Sequence, residues 1–532
     1  MPTLNHLLRY ATALGILFVL ACGERNCDGD CDTLVIVAVG EPSSLLPPLV
    51  YETVGRDISD RIFERLADLP ADGSPLDPEA YTPALAERWE RIDDRRWRFH
   101  LRHNVTWHDG APFTAEDVRF SFEAFSDPTI DALALSSVQD LAVTVIDDHT
   151  VDILFPTAGP EQLYQATYHV RILPSHLWVG SDRSAWATDT ATSLIVGTGP
   201  YRLVSWDRPS TVRLEASGMN GHQPSITNLV WSLHDAPDPA VNLVLSHEAD
   251  VIERVPPPLV GRVEADSALE AIRYPSAVYG FLGFNLDGSG AARSTLRSRT
   301  VRRALAMALD RPALAQATIG PGTAVPLGPM SRLLWINDIA ISQLPFDTIR
   351  VSQELMEGGW QMSNGAWQRR GRTLKFDILV PSTSQSRQLL AEALQESWRR
   401  SGIETTITAV DFPVFIERLQ AGRFDSYIWA TLDEPSTSTL AGPWVRDGWD
   451  AGNFGHYHNP VFDSLVSVVG TVFDADRAKA LWVEALSILN DDAPAIFLFT
   501  PVNVAAVNSR LSEVTINPYS WLEDVSTWRI GR

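Results

Sequence analysis

Between residues 374 and 430 the sequence alternates strand and helix signals, and that order restricts the fold more than any other feature. Residues 374–380 form a short apolar run that reads as a strand. Residues 386–400 follow with helical spacing, Leu389, Leu390, Ala393, Leu394 and Trp398 on one side and Gly402 placed to end the helix. Residues 403–410 read as a second strand. Asp411 then caps a helix carrying Val414, Phe415 and Leu419, Gly422 ends it, and residues 426–430 make a third strand. A β-α-β-α-β order needs crossover helices, so it predicts an α/β unit with a parallel sheet covered by helices. The turn after the first strand, Pro381-Ser382-Thr383-Ser384-Gln385-Ser386, holds no G-x-G-x-x-G, which argues against a dinucleotide site.

The remaining elements extend this picture. Residues 34–39 form a buried strand ending at Gly40, and residues 95–101 alternate with Trp97, Phe99 and Leu101 on the inner face. Thr114 and Asp117 offer a capping box for a helix whose stripe is Val118, Phe122 and Phe125. Helices are also expected over 301–309 and 475–490, the second carrying Ala478, Leu481, Ala485 and Leu489 on one face, and Gly197-Thr198-Gly199-Pro200-Tyr201 opens a further strand region. No repeat of about 20 to 50 residues indicates a solenoid or propeller. A chain of 532 residues is a prior for about three folding units. Its 45% apolar and 20% charged residues suffice for a large core. The net charge of −23 makes nucleic acid an improbable partner.

The start of the chain has the outline of an export signal. Arg9 stands before an apolar run over 10–20, shorter than the roughly 20 residues a bilayer span needs. Val19-Leu20-Ala21-Cys22 resembles a bacterial lipobox, so residues 1–21 are expected to be a lipoprotein signal peptide, Cys22 the lipidated residue, and 22–32 a tether. The other reading of Cys22 is a buried free thiol in a short helix. Cys27 and Cys31, the remaining cysteines, either close a small loop or stay as two thiols in a flexible arm. The expected location is outside the cytoplasm, anchored to a membrane, periplasmic or at the cell surface.

Two blocks carry a family resemblance. Leu85-Ala86-Glu87-Arg88-Trp89 with Trp97-Arg98-Phe99-His100-Leu101-Arg102, and Trp107-His108-Asp109-Gly110-Ala111-Pro112-Phe113-Thr114-Ala115-Glu116-Asp117-Val118, follow the signature of bacterial extracellular solute-binding protein family 5. These are the binding proteins of peptide and nickel ABC importers. Supporting blocks occur in family order at 197–206, 244–255, 282–285, 301–312, 415–425 and 458–463. The resemblance implies a periplasmic-binding-protein-like fold of two α/β lobes joined by hinge strands. Lobe I would comprise 33–66, 174–285 and 501–532, with an inserted subdomain over 67–173, and lobe II would span 286–500. Hinges are expected near 282–285 and 499–501. The signature itself reads as structural, Asp109-Gly110 as a turn and Thr114 as a cap.

The resemblance also implies a substrate-binding lipoprotein of an ABC importer, one that captures peptides or similar polar oligomers between lobes and passes them to a membrane permease. The alternatives are an oligosaccharide-binding member of the family and a lipoprotein hydrolase. Matching the family's first-lobe contact loop selects Tyr51, Glu52 and Thr53. The second-lobe loop usually carries an aspartate that anchors a peptide amino group. Here Thr431 stands in its place, with Asp433 and Glu434 nearby as substitutes. Trp429 is either a stacking wall or a core tryptophan, and Asn453 is a further contact candidate. Leu45-Leu46-Pro47 replaces the usual Leu-Asp-Pro. His456 and His458, like His100, His103 and His108, lack the spacing that defines a metal site, so neither metal nor cofactor is expected. No nucleophile or P-loop motif supports an enzyme, and Asp491-Asp492 suits a helix end better than glycoside hydrolysis. Such a receptor is expected to be a monomer.

Overall fold

The computed structural model describes residues 32–531 apart from 131, 133, 189–191, 288–294, 439, 450 and 451. The signal peptide over 1–21, Cys22, Cys27 and Cys31 lie outside the described residues. Strand Thr33–Val39 sits inside a seven-stranded sheet, running parallel to Asn228–His234 on one side and Val251–Ile252 on the other. Its Leu34, Ile36 and Val37 are almost fully buried, as an apolar strand with covered faces requires. The sheet continues through Thr211–Ala216 to Tyr201–Asp207 at one edge and through Val502–Asn508 to Leu269–Pro275 at the other.

The 374–430 region forms the expected parallel core of a second sheet. Lys375–Pro381 pairs in parallel with both Glu404–Val410 and Ser426–Leu432. Helices Gln385–Arg400 and Phe412–Gln420 make the crossovers. The sheet is mixed, because Val278–Phe284 and Ala495–Phe499 add to it antiparallel. The first follows Leu269–Pro275 of the seven-stranded sheet and the second leads into its strand Val502–Asn508, so the chain passes between sheets through Ser276–Ala277 and Thr500–Pro501. Leu282 and Phe284 therefore lie within the second sheet, and the first crossing falls earlier than residues 282–285. At Gly280 the sheet admits no side chain, since a Cβ there would stand 2.1 Å from the Phe499 ring.

Of the stripe expected on Gln385–Arg400, Leu390, Leu394 and Trp398 face the core and Leu389 does not. Ala391 is buried with them and Leu389 is 46% exposed. Successive residues are about 100° apart on a helix, so Leu389 and Leu390 compete for the same face. Trp398 decides it, its Nε1 donating to the Leu305 carbonyl at 2.9 Å. Val414 is likewise exposed while Phe415 and Leu419 are buried.

A four-stranded antiparallel sheet, ordered Ala86–Asp93, Arg96–Leu101, Thr150–Leu154, Ala142–Asp147, carries the signature. Asp117, 2% exposed, organises it. Its carboxylate accepts from the Thr114 N–H at 2.8 Å, from the Ser175 N–H and hydroxyl at 2.9 and 2.6 Å, and from Trp107 Nε1 at 3.3 Å. The signature thus fastens helix Ala115–Phe125 to its own loop and to the returning chain.

The Gly197-Thr198-Gly199 turn packs on the end of helix Thr53–Ile62, where the Gly199 N–H donates to the Ile62 carbonyl at 2.9 Å. A Cβ on Gly197 would stand 1.8 Å from that carbonyl oxygen. Gly197→Ala is expected to lower stability by about 1–3 kcal/mol, read from a urea titration.

Candidate functional site

Cavities line the junction between the two larger sheets. The first, of about 550 Å³, lies beside the crossing at Pro501 and is walled by the end of strand Thr33–Val39, by Glu253 and Arg254, and by Ile319 from beyond the crossing. Glu52 and Thr53 face it. The Glu52 carboxylate accepts from the Ser43 N–H at 3.2 Å and hydroxyl at 2.9 Å, which fixes the loop before helix Thr53–Ile62. Tyr51 is exposed at the end of that loop, next to Glu52. Asp57 also lines the cavity; burial, with the charge of Glu253 adding to it, pushes its carboxyl up to about 7, although Trp521 Nε1 donates to it at 2.8 Å.

The candidates after strand Ser426–Leu432 divide. Thr431 lies opposite Tyr279, and their side chains hydrogen-bond. Asp433 is 8% exposed; its N–H donates to the Ala277 carbonyl at 2.6 Å and its carboxylate accepts from the Ser331 N–H. That locks it against the first crossing rather than leaving it open to a ligand. Burial raises its carboxyl to about 7, against the Ser331 hydrogen bonds and with the charge of Glu434 adding. Glu434 faces a second cavity, where it accepts from the Tyr164 hydroxyl at 3.3 Å with His169 Nε2 at 3.7 Å. Burial keeps the His169 imidazole below its ordinary range. Trp429, half-buried, stacks on Phe415 with centroids 5.8 Å apart and meets Phe412 and Phe454. Asn453, 2% exposed, spends its amide on the Val445 and Tyr457 carbonyls and the Tyr457 N–H, so it holds a loop together.

The second cavity, about 270 Å³, is walled by Arg56, Ser59, Asp60, Arg65, Tyr168, His169, Arg171 and Tyr519, with Glu434 and Pro435 closing it from the other side. Asp60 receives Arg171 in a fork at 2.7 and 2.8 Å and Arg65 at 3.4 Å. Burial would raise its carboxyl, yet the two guanidiniums hold it well below the usual range. Nothing in the sequence separates this lining from a solvated helix face. The one available signal was the density of charge in Arg56, Asp57, Asp60 and Arg61 beside the apolar Val54, Ile58 and Ile62.

Glu161 also escaped the sequence. It is 8% exposed and accepts from the Thr437 N–H at 3.0 Å, from the Thr437 hydroxyl at 2.8 Å and from the Ser436 hydroxyl. Trp97 steadies it from the signature sheet, donating to the neighbouring Gln162 at 3.0 Å. The contact joins the four-stranded unit to the loop beyond Ser426–Leu432, and Arg91 lies over the Phe473 ring across the same junction. A carboxylate buried between units, with every bond reaching the far side, holds them together.

The raised carboxyls set a pH dependence. The native protein holds protons on Asp57 and Asp433 up to about pH 7, whereas the unfolded chain releases them near 3.8. The folded state binds more protons in that window, so these groups make stability fall as pH rises from about 4 to 7. Asp433→Asn is expected to flatten the fall, measured as the difference from the parent in melting temperature at pH 5 and pH 8.

Residues 80–452 match the model of bacterial extracellular solute-binding proteins, family 5 Middle. The chain belongs to this family. It is 22% identical over 515 residues to di/tripeptide-binding protein 3 of Pseudomonas aeruginosa, covering 92% of this chain and 93% of the relative. It is 25% identical over 506 residues to the periplasmic oligopeptide-binding protein OppA of Salmonella typhimurium, covering 90% and 89%. Among solved structures, the oligopeptide-binding protein AppA from Bacillus subtilis in complex with a nonapeptide superposes with a TM-score of 0.76 at 20% identity, covering 94% of this chain and 99% of the other. The fold of this solute-binding protein is that of periplasmic binding proteins, as the signature implied. Among the described residues, no group of three His, Cys, Asp or Glu side chains is placed to hold a metal ion, and no helix is long and apolar enough to cross a membrane. His456 pairs with Asp287 at 3.1 Å and His458 with Asp463 at 3.0 Å.

Proposed function

We propose that this solute-binding protein captures a peptide or similar polar oligomer between two lobes, tethered to a membrane through Cys22, and delivers it unaltered to an ABC permease. The observation that carries the reading is the pair of crossings at 276–277 and 500–501, with a cavity of about 550 Å³ beside the second. The relatives named for di/tripeptide and oligopeptide binding support a peptide as the guest. Lobe I takes in 33–66, 174–275 and 501–532 with the insert over 67–173, and lobe II the stretch between the crossings. Rotation about them opens the cavities, and a ligand that prefers the shut form closes them. Glu52 and Thr53 offer lobe I contacts, and extended peptides add backbone hydrogen bonds at little cost in specificity.

Amine capture in this reading falls to Glu434. Thr431 carries no charge, and Asp433 is committed to Ser331 and Ala277. Glu434→Gln is expected to weaken free-amine tripeptides about tenfold and to leave N-acetylated ones unchanged, by calorimetry. The reading as a whole is tested by a thermal-shift screen against peptides, oligosaccharides and nickel chelates. A ligand at about 100 times its Kd adds about 2.7 kcal/mol of stability. Peptides alone raising the melting temperature is the expected result; stabilisation by sugars alone, or turnover of an ester or glycoside panel, overturns it.

A further inference from the structure

The 270 Å³ cavity is lined by donors that lack acceptors. Among the described residues the Arg56 guanidinium has neither a hydrogen bond nor an ion pair, and its Nε is buried. The Ser59 hydroxyl, the Arg65 Nε and the Tyr519 hydroxyl, all on the same cavity, are buried and unpartnered too, and Ser59 is only 2% exposed. Native proteins leave few such atoms unsatisfied, and here four meet at one space.

The neighbouring carboxylates are already engaged. Asp60 is held by Arg171 and Arg65, Asp57 by Trp521, and Glu523 accepts from Asn517. Glu434 accepts one hydrogen bond from Tyr164, with His169 beside it, and in the peptide reading its charge is matched by the ligand amine rather than by Arg56. Arg56 therefore makes no direct ion pair; Asp57 and Asp60 attract its charge only from a distance, and Asp60 is shared with Arg65 and Arg171. Arg56 also stands near the start of helix Thr53–Ile62, where the helix dipole disfavours positive charge. Water can satisfy a hydroxyl, but it brings no charge to a guanidinium. A planar, acceptor-only anion does both, since a carboxylate matches the guanidinium fork and takes further hydroxyl donors.

We propose that this cavity receives a carboxylate of the bound ligand, with Arg56 as its counter-ion and Ser59 and Tyr519 as further donors. This deepens the peptide reading and rests on it for the rest of the ligand. Glu434 and Pro435 close the cavity from lobe II, so the carboxylate is enclosed when the lobes shut. Its source is either a peptide C-terminus or an acidic side chain.

The test is calorimetry on the full chain with four probes: Gly-Gln-Gly-amide, Gly-Gln-Gly, Gly-Glu-Gly-amide and glutarate. Binding of Gly-Gln-Gly or Gly-Glu-Gly-amide about tenfold tighter than Gly-Gln-Gly-amide is expected, and which of the two gains identifies the source. Arg56→Gln is expected to erase that gain and keep the affinity for Gly-Gln-Gly-amide. Should that variant not fold, Ser59→Ala is expected to reduce the gain severalfold. Equal binding of all peptides by parent and variants overturns the carboxylate site while leaving the peptide reading intact. Binding of glutarate alone, lost in Arg56→Gln, upholds the site and overturns the peptide reading. If no carboxylate-bearing probe binds, the site is rejected.

Discussion

Replacing Glu161 with alanine is expected to weaken ligand binding by about a hundredfold while barely moving the melting temperature of the ligand-free protein. The carboxylate is buried only where the insert meets Ser436 and Thr437, and all of its bonds there reach across the junction. Hydrogen bonds to a charged group contribute about 1.5–3 kcal/mol each, and truncating one side of a buried charged contact costs about 2–5 kcal/mol. That loss falls on the closed form alone, so it enters the affinity directly. Ser436→Ala, which removes one donor to the carboxylate, should cost about 1.5–3 kcal/mol. Titration calorimetry on both variants separates a clasp between lobes from a local fold contact, which would lower the melting temperature instead.

Arg510→Met is expected to cost about 3–5 kcal/mol of folding stability, the largest effect anticipated for a single substitution. Asp250 is 5% exposed, and Arg510 binds both its oxygens at 2.7 Å. The same guanidinium reaches the Thr33 carbonyl at 3.0 Å, and Asp250 accepts from the Val35 N–H at 2.8 Å. The pair therefore joins the first strand of the sheet to the returning C-terminal segment. Removing the cation strands a buried carboxylate; removing both charges in Asp250→Asn with Arg510→Met should recover most of the loss. Urea unfolding of the single and double variants measures both.

Local signals in the chain were legible where one side-chain pattern dictates one structure. Thr114 and Asp117 marked their helix start, and the alternation of Trp97, Phe99 and Leu101 marked a half-buried strand. The parallel pairing around Lys375–Pro381 followed from connectivity alone. The crossing at Ser276–Ala277 was not legible, because what separates Leu269–Pro275 from Val278–Phe284 is which strands each pairs with, a tertiary fact. Leu389 was misplaced because neighbouring apolar residues leave the helix rotation to tertiary contacts.

The candidate site divides along the same line. Glu52 and Thr53, matched through the family's first-lobe loop, and Glu434, named as a substitute near Thr431, border cavities between the sheets. Asp433 and Asn453 are taken up by backbone groups that no sequence pattern reveals. Arg56, Glu161 and Arg171 were invisible for a general reason: a charge reads as solvated until the fold brings a second surface over it.

Two hinged lobes that shut on a guest require movement between the signature insert and the second lobe. Asp94 has an 88% exposed side chain, and Asp476 is exposed at the start of the long helix Ala475–Asp492 across the junction. With Cys22, Cys27 and Cys31 changed to serine, spin labels on cysteines at 94 and 476 report that separation by double electron–electron resonance. Adding saturating tripeptide should collapse a broad distribution onto a shorter, narrow one. A distribution that is already narrow and does not move, in the presence of demonstrated binding, would contradict capture by closure.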